Sequence, residues 1–143
     1  MLRIITGSIL SLITLMMVAC GSDSRTVDIH DTEAKTWSHA EEFTYNNSDT
    51  LSRRQILITL RYDGDYVREQ VPIKILTVSP DSMVLEESFT LRIPQLADMR
   101  PEEHTFVYRS NVLLKRRGTY SFRLTPDEPA EGIASIGIIV DKI

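Results

Sequence analysis

From Trp37 to the end of the chain, apolar residues return at every second position. In QILITLRY, Ile56, Ile58, Leu60 and Tyr62 alternate with Leu57, Thr59 and Arg61. Phe43 and Tyr45 share a phase, as do Val71, Ile73 and Ile75, with Leu76 and Val78 in the opposite one. Met83, Leu85, Phe89, Leu91 and Ile93 form a further set, interrupted by Glu87. Phe106 and Tyr108 follow, then Tyr120, Phe122 and Leu124, then Ala134, Ile136, Ile138 and Val140. A period of two places alternate side chains on opposite faces of an extended strand, so each run can bury one face. No segment carries a 3.6-residue apolar stripe over three turns. The chain is therefore expected to be all-β: an antiparallel β-sandwich, Ig-like or jelly-roll-like, of about seven to eight strands over residues 37–143.

The punctuation fits short strands. Asp63-Gly64-Asp65 and Ser79-Pro80-Asp81-Ser82 are turn signals, and residues 126–131 form a polar loop with two prolines. Pro72 marks an edge strand or a strand start, because it has no amide hydrogen for a ladder. Residues 95–103 have room for one helical turn before Pro101. Gly118-Thr119-Tyr120-Ser121-Phe122 sets a tyrosine two residues before a core-phase aromatic. That spacing resembles the tyrosine corner of Ig-like sandwiches. It equally describes an ordinary strand that begins at a glycine.

The first 36 residues break the alternation. A basic start at Arg3 leads into an apolar run over 4–18, softened by Thr6, Gly7, Ser8, Ser11 and Thr14. The run is shorter than the ~20 residues a spanning helix needs, and its anatomy is that of an export signal over residues 1–19. It ends in Met17-Val18-Ala19-Cys20, which resembles a bacterial lipobox. A small residue precedes a cysteine whose thiol would take diacylglycerol before the chain is cut ahead of it. Cys20, the sole cysteine, is thus the expected lipid-attachment residue. Stable anchoring takes more than one acyl chain, and such a terminus usually carries three. Residues 20–36 are polar and read as a tether, spanning on the order of 50 Å when extended.

One cysteine excludes an intrachain disulfide and a cysteine-based zinc site, and a net charge of −4 argues against nucleic-acid binding. His30, His39 and His104 lie far apart and read as surface residues, so no metal or other cofactor is expected. Glu41-Glu42, Glu86-Glu87 and Glu102-Glu103 are adjacent pairs that a strand would point to opposite faces. GIASIG at 132–137 is not a nucleophile elbow, and no phosphate-binding glycine pattern is present. No catalytic residue is therefore expected. Lys115-Arg116-Arg117, with Arg109 nearby, reads as a solvated hairpin end; contact with an acidic partner or lipid headgroups is the other reading. Arg53-Arg54 reads in the same way.

The order of these features resembles the gliding-motility lipoprotein GldH family of Bacteroidota. The match runs through Cys20, Trp37, Leu60-Arg61 with Tyr66, the Gly118–Phe122 stretch, Gly132-Ile133 and Ile136-Gly137 with the strand beyond. The chain departs from the family after Leu96-Ala97-Asp98, where a glycine- and tryptophan-rich stretch is replaced by MRPEEHTF. The resemblance implies a non-catalytic envelope lipoprotein that acts through protein–protein contacts associated with gliding motility and type IX secretion. Its partners are the membrane, through the lipid on Cys20, and envelope proteins. The periplasmic and outer-membrane faces both stay open. A surface glycan-binding or adhesion lipoprotein is the alternative; it needs two or three coplanar aromatics on one exposed face, and burial of Trp37, Tyr62 and Tyr66 together would remove it.

Overall fold

A computed structural model describes residues 24–63, 68–94 and 102–143. Cys20, Tyr66, the Leu96-Ala97-Asp98 departure, Gly64-Asp65 and most of the 95–103 stretch lie outside those residues. Ten strands run in chain order: β1 (Arg25–Asp31), β2 (Thr36–Trp37), β3 (Glu41–Asn47), β4 (Arg53–Tyr62), β5 (Gln70–Val78), β6 (Val84–Arg92), β7 (Glu102–Leu113), β8 (Gly118–Pro126), β9 (Ala130–Glu131) and β10 (Ile133–Lys142). They form a four-stranded sheet ordered β1-β10-β4-β7, a second ordered β3-β8-β5-β6, and the short pair β2-β9. All pairings are antiparallel. The expected antiparallel β-sandwich is the fold.

The alternation builds the core. Ile56, Ile58, Leu60 and Tyr62 of β4, with Ile136, Ile138 and Val140 of β10, pack against Phe43 of β3, Phe122 and Leu124 of β8, and Ile73 and Ile75 of β5. Each such side chain contributes roughly 1.5–3 kcal/mol through removal from water.

Two sequence expectations are corrected by pairing geometry, and a third, the place of Pro72, is narrowed by it. Ala134 is not a core residue. The register jumps between Ile133 and Ser135 opposite Tyr62 and Arg61, so Ala134 is the extra residue of a bulge and Ile133 is fully buried instead. Met83 and Leu85 are exposed although they share the phase of buried Leu91. β6 is an edge strand, and only its Phe89–Ile93 end is packed against the core. Pro72 lies on an interior strand, but at its start. Its carbonyl accepts from the Asp127 amide at 3.0 Å, one step before the β5–β8 ladder begins at Ile73–Pro126. The missing donor therefore falls where the ladder has not begun.

The largest correction concerns the tether. Residues 25–31 form an edge strand on β10, in register from Arg25–Asp141 to Asp31–Ser135. Thr36 and Trp37 pair with Glu131 and Ala130, which places β9 inside the expected 126–131 loop. The sequence RTVDIHD hides its alternation because its inward positions, Thr26, Asp28 and His30, are polar and only half-buried at the rim of the sandwich. His30, expected in the tether, stacks on Phe43 with ring centroids 4.4 Å apart. Five Cα steps therefore separate Cys20 from the folded domain, a reach of about 17 Å at most.

Candidate functional site

The end of the sandwich from which the N-terminal segment leaves is built by five segments. β1 begins there at Arg25, paired with Asp141 near the end of β10. The 48–52 loop leads into β4, the 79–83 turn joins β5 to β6, and the 114–117 turn joins β7 to β8. Side chains and backbone lace these together. Lys142 N–H donates to the Ser24 carbonyl at 2.7 Å, and Ile143 N–H to that of Arg53 at 3.0 Å. The buried Asn47 amide donates to the carbonyls of Leu114 and Arg116, at 3.0 and 2.9 Å. Asp49 accepts from the Leu51 and Ser52 amides and the Ser52 hydroxyl. These bonds, led by the Ser52 hydroxyl, hold its carboxyl well below the ordinary range, and Lys142 adds to them. Gly118, at φ 118°, lets the 114–117 turn close on Pro80; a Cβ there would meet the Pro80 ring at 3.0 Å.

The charge of this end is one-sided. Among the described residues its three side-chain carboxylates are each engaged: Asp141 with Arg25 at 3.1 Å, Asp49 with Lys142 at 3.3 Å, and Asp81 with Arg116 at 3.3 Å. Arg53 donates to the Asn111 carbonyl at 3.1 Å. Lys115 and Arg117 are exposed and have no ion pair among the described residues. Between these cations stand apolar tips: Leu51 is 89% exposed and Met83 70%, with Val84 and Ile143 also exposed. The basic run is an exposed hairpin end set within a larger basic surface. Arg109 does not belong to it. It pairs with Glu87, which also accepts from the Tyr108 hydroxyl at 2.5 Å, and this joins the edges of the two sheets.

Arg54 departs from the solvated reading. It is in phase with Ile56 and Ile58 and only 1% exposed. Its guanidinium lies 5.4 Å over the Tyr45 ring, its Nη2 is 3.9 Å from Asp49, and its Nε has no hydrogen-bond partner.

The opposite end is acidic. A cleft of about 510 Å³ is lined by Lys35, Arg61, Tyr62, Asp63, Glu102 and Glu103, with Ala134 beside them. Lys35 reaches the Asp63 carboxylate at 3.2 Å. The Tyr62 hydroxyl donates to the Pro94 carbonyl at 3.0 Å, and burial, with Glu102 nearby, pushes its pKa up. Glu41 and Glu42 diverge as expected, one to His30 at 2.8 Å and the other to Arg123 at 2.8 Å. Glu86 is exposed while Glu87 joins Arg109. Among the described residues no group of three or more His, Cys, Asp or Glu side chains is arranged to hold a metal.

A third surface was not visible in the sequence. The registers align Val27, Ile139, Leu57 and Val107 in one row across the outer face of the β1-β10-β4-β7 sheet. Val27 is 48% exposed and Val107 55%, while Leu57 and Ile139 between them are buried. In the next row Ile29 and Thr59 close over Gly137, where a Cβ would come within 2.7 Å of Ile29 Cγ1 and of the Asp28 carbonyl.

Two of the three aromatic residues named for glycan stacking are in the core. Trp37 is 1% exposed and donates its indole N–H to the His39 carbonyl at 2.8 Å, and Tyr62 is equally buried. The third, Tyr66, lies outside the described residues. Tyr120 does close a corner: its hydroxyl accepts from the Arg116 amide at 3.2 Å, four residues upstream.

No family model matches the chain, and no curated protein matches it. Its likenesses are to solved β structures. One is a structure of infectious bursal disease virus Gx strain (9% identity over 85% of this chain and 32% of that one, TM-score 0.42). Another is a study of the promiscuous specificity of carbohydrate-binding modules from the β-sandwich superfamily (12% identity, 82% and 52% covered, TM-score 0.34). A third is the Tobacco streak virus coat protein dimer (7% identity, 84% and 86% covered, TM-score 0.29). The chain spans about a third of the first of these. At such scores none bears on what it binds.

Proposed function

We propose that this chain is a non-catalytic, lipid-anchored protein of the bacterial cell envelope. It is similar to the gliding-motility lipoprotein GldH family and works through protein–protein contacts associated with gliding motility and type IX secretion. The observation that carries the reading is the Met17-Val18-Ala19-Cys20 lipobox at the close of an export signal, five residues ahead of the first strand. Acylation at Cys20 would set a rigid β-sandwich directly on a bilayer. The outer face of the β1-β10-β4-β7 sheet supports a contact role, because Val27 and Val107 stand exposed at the two ends of an apolar row on it. Burial of Trp37 and Tyr62 speaks against the glycan-stacking alternative.

The test is Cys20→Ala. The variant should keep the fold, since the described strands begin at Arg25, and it should leave the acylated membrane fraction. Variant protein found in the membrane fraction at the wild-type level, with its signal removed, would overturn the anchor.

A further inference from the structure

We infer that the basic end of the sandwich rests on the anionic lipid headgroups of the same bilayer that holds Cys20, so that the domain stands on that end. The inference builds on the anchor reading and adds an orientation and a lipid class to it.

Three observations converge. The first is reach. Arg25 is five Cα steps from Cys20, so the end carrying Arg25 stays within about 17 Å of the acylated residue. The surface potential of an anionic leaflet decays over roughly 8–10 Å at moderate salt. The short link thus holds this end at high local concentration where that field acts.

The second is charge. With Asp49, Asp81 and Asp141 each paired to a cation, the side chains at this end without an ion pair among the described residues are Arg53, Lys115 and Arg117. Among the described residues the far end gathers Asp63, Glu69, Glu102, Glu103, Asp127, Glu128 and Glu131 against Lys35, Arg61, Arg68 and Arg92. A chain of net charge −4 is therefore basic where its N terminus leaves and acidic where it points away. An anionic surface attracts one end and repels the other, which fixes the long axis upright.

The third is the apolar tips. Leu51 and Met83, with Val84, protrude from the 48–52 loop and the 79–83 turn among those cations. Apolar side chains flanked by Lys and Arg suit the headgroup–acyl boundary. The lacing of the five segments presents them as one rigid surface. Standing upright also leaves the Val27–Val107 row facing sideways, open to a protein partner.

The experiment uses the acylated full chain reconstituted in vesicles of phosphatidylethanolamine and phosphatidylglycerol, with phosphatidylcholine vesicles as the neutral control. A fluorophore is placed on Leu51→Cys at the basic end or on Asp127→Cys at the acidic end, and a headgroup quencher reports proximity. The thioether on Cys20 keeps that sulfur from labelling. We expect quenching at 51 but not at 127 on anionic vesicles. It should fade at about 0.5 M salt, where screening shrinks to a few ångströms. Neutralising Lys115→Gln or Arg117→Gln should lower the docked-to-free ratio by about fivefold for each charge. Equal quenching at both positions, or quenching indifferent to lipid charge, salt and these variants, overturns the docking while flotation with vesicles still upholds the anchor. Failure to float at all overturns the anchor, and the docking with it.

Discussion

The Arg116 guanidinium lies 3.3 Å from the Asp81 carboxylate and ties the 114–117 turn to the 79–83 turn at the end from which the N-terminal segment leaves. Asp81 also accepts from the Ser79 hydroxyl. That bond comes first, and the Arg116 charge adds to it, in holding the Asp81 carboxyl below its ordinary pKa against the opposing effect of burial. Asp49, on the neighbouring loop, is lowered further by the Ser52 hydroxyl and two backbone amides. The rigidity of this end therefore depends on ionised carboxylates.

The sign of the pH dependence follows. A carboxyl whose folded pKa is depressed adds stability that is complete above its unfolded value, near 4, and is lost as pH falls through the folded one. Asp49, Asp81, Glu42 and Glu87 are all lowered. Thermal unfolding midpoints should be flat from neutrality to about pH 5 and fall below about pH 4. Amide protection at Leu51 and Ser52, whose acceptor Asp49 is the most strongly lowered of these carboxyls, should be the last to be lost. A midpoint still unchanged near pH 2 would contradict this.

Arg54 is the most costly group in the core. Its Nε has no partner, and its nearest carboxylate is 3.9 Å away. A buried, poorly paired charge can be exchanged for an apolar side chain of similar length at little cost. Arg54→Met should change the unfolding free energy by less than about 1 kcal/mol, or raise it. Asp49→Ala should be the more damaging change, because it removes the loop's acceptor and leaves Arg54 alone. Denaturant titration of both variants decides the order.

Gly137 permits the close approach of β1. A Cβ there would sit 2.7 Å from the Asp28 carbonyl oxygen, a backbone atom that moves only if the strand moves, and 2.9 Å from Thr59 Cγ2. Gly137→Ala should cost about 1–3 kcal/mol and raise amide exchange along β1 while the β3-β8-β5-β6 sheet stays protected. Uniform protection in both sheets would contradict the packing account.

The exposed ends of the apolar row on the outer sheet face, Val27 and Val107, should be dispensable for folding. Val27→Asp and Val107→Glu should shift stability by no more than about 0.5–1 kcal/mol. They should leave membrane fractionation intact and reduce co-purification of an envelope partner. Wild-type recovery of that partner with both changes combined would remove this face from the contact surface.

What the sequence revealed follows from how local each feature is. The core phase of β4 and of β8 is written in residues two apart, and the strands form where that period predicts. Arg54 had the right phase, but a charge in an apolar series reads as a strand end, and only the structure places Tyr45 and Asp49 around it. β1 reads as tether in the sequence because its inward residues sit at the rim, where polar side chains remain partly solvated and alternation fades. The row from Val27 to Val107 joins four strands distant in sequence, so nothing local encodes it. The basic end arises in the same way: Lys115-Arg116-Arg117 was visible as a run, but Arg25, Arg53 and Lys142 meet it only through the antiparallel order of the strands.

The most direct measurement is the mass of the N-terminal peptide of the chain purified from its native membrane. The account predicts that peptide to begin at Cys20 and to carry a thioether-linked diacylglyceryl group, with a further acyl chain on the amino nitrogen. A chain that retains Met1, or one that begins at another residue with Cys20 unmodified, would contradict it.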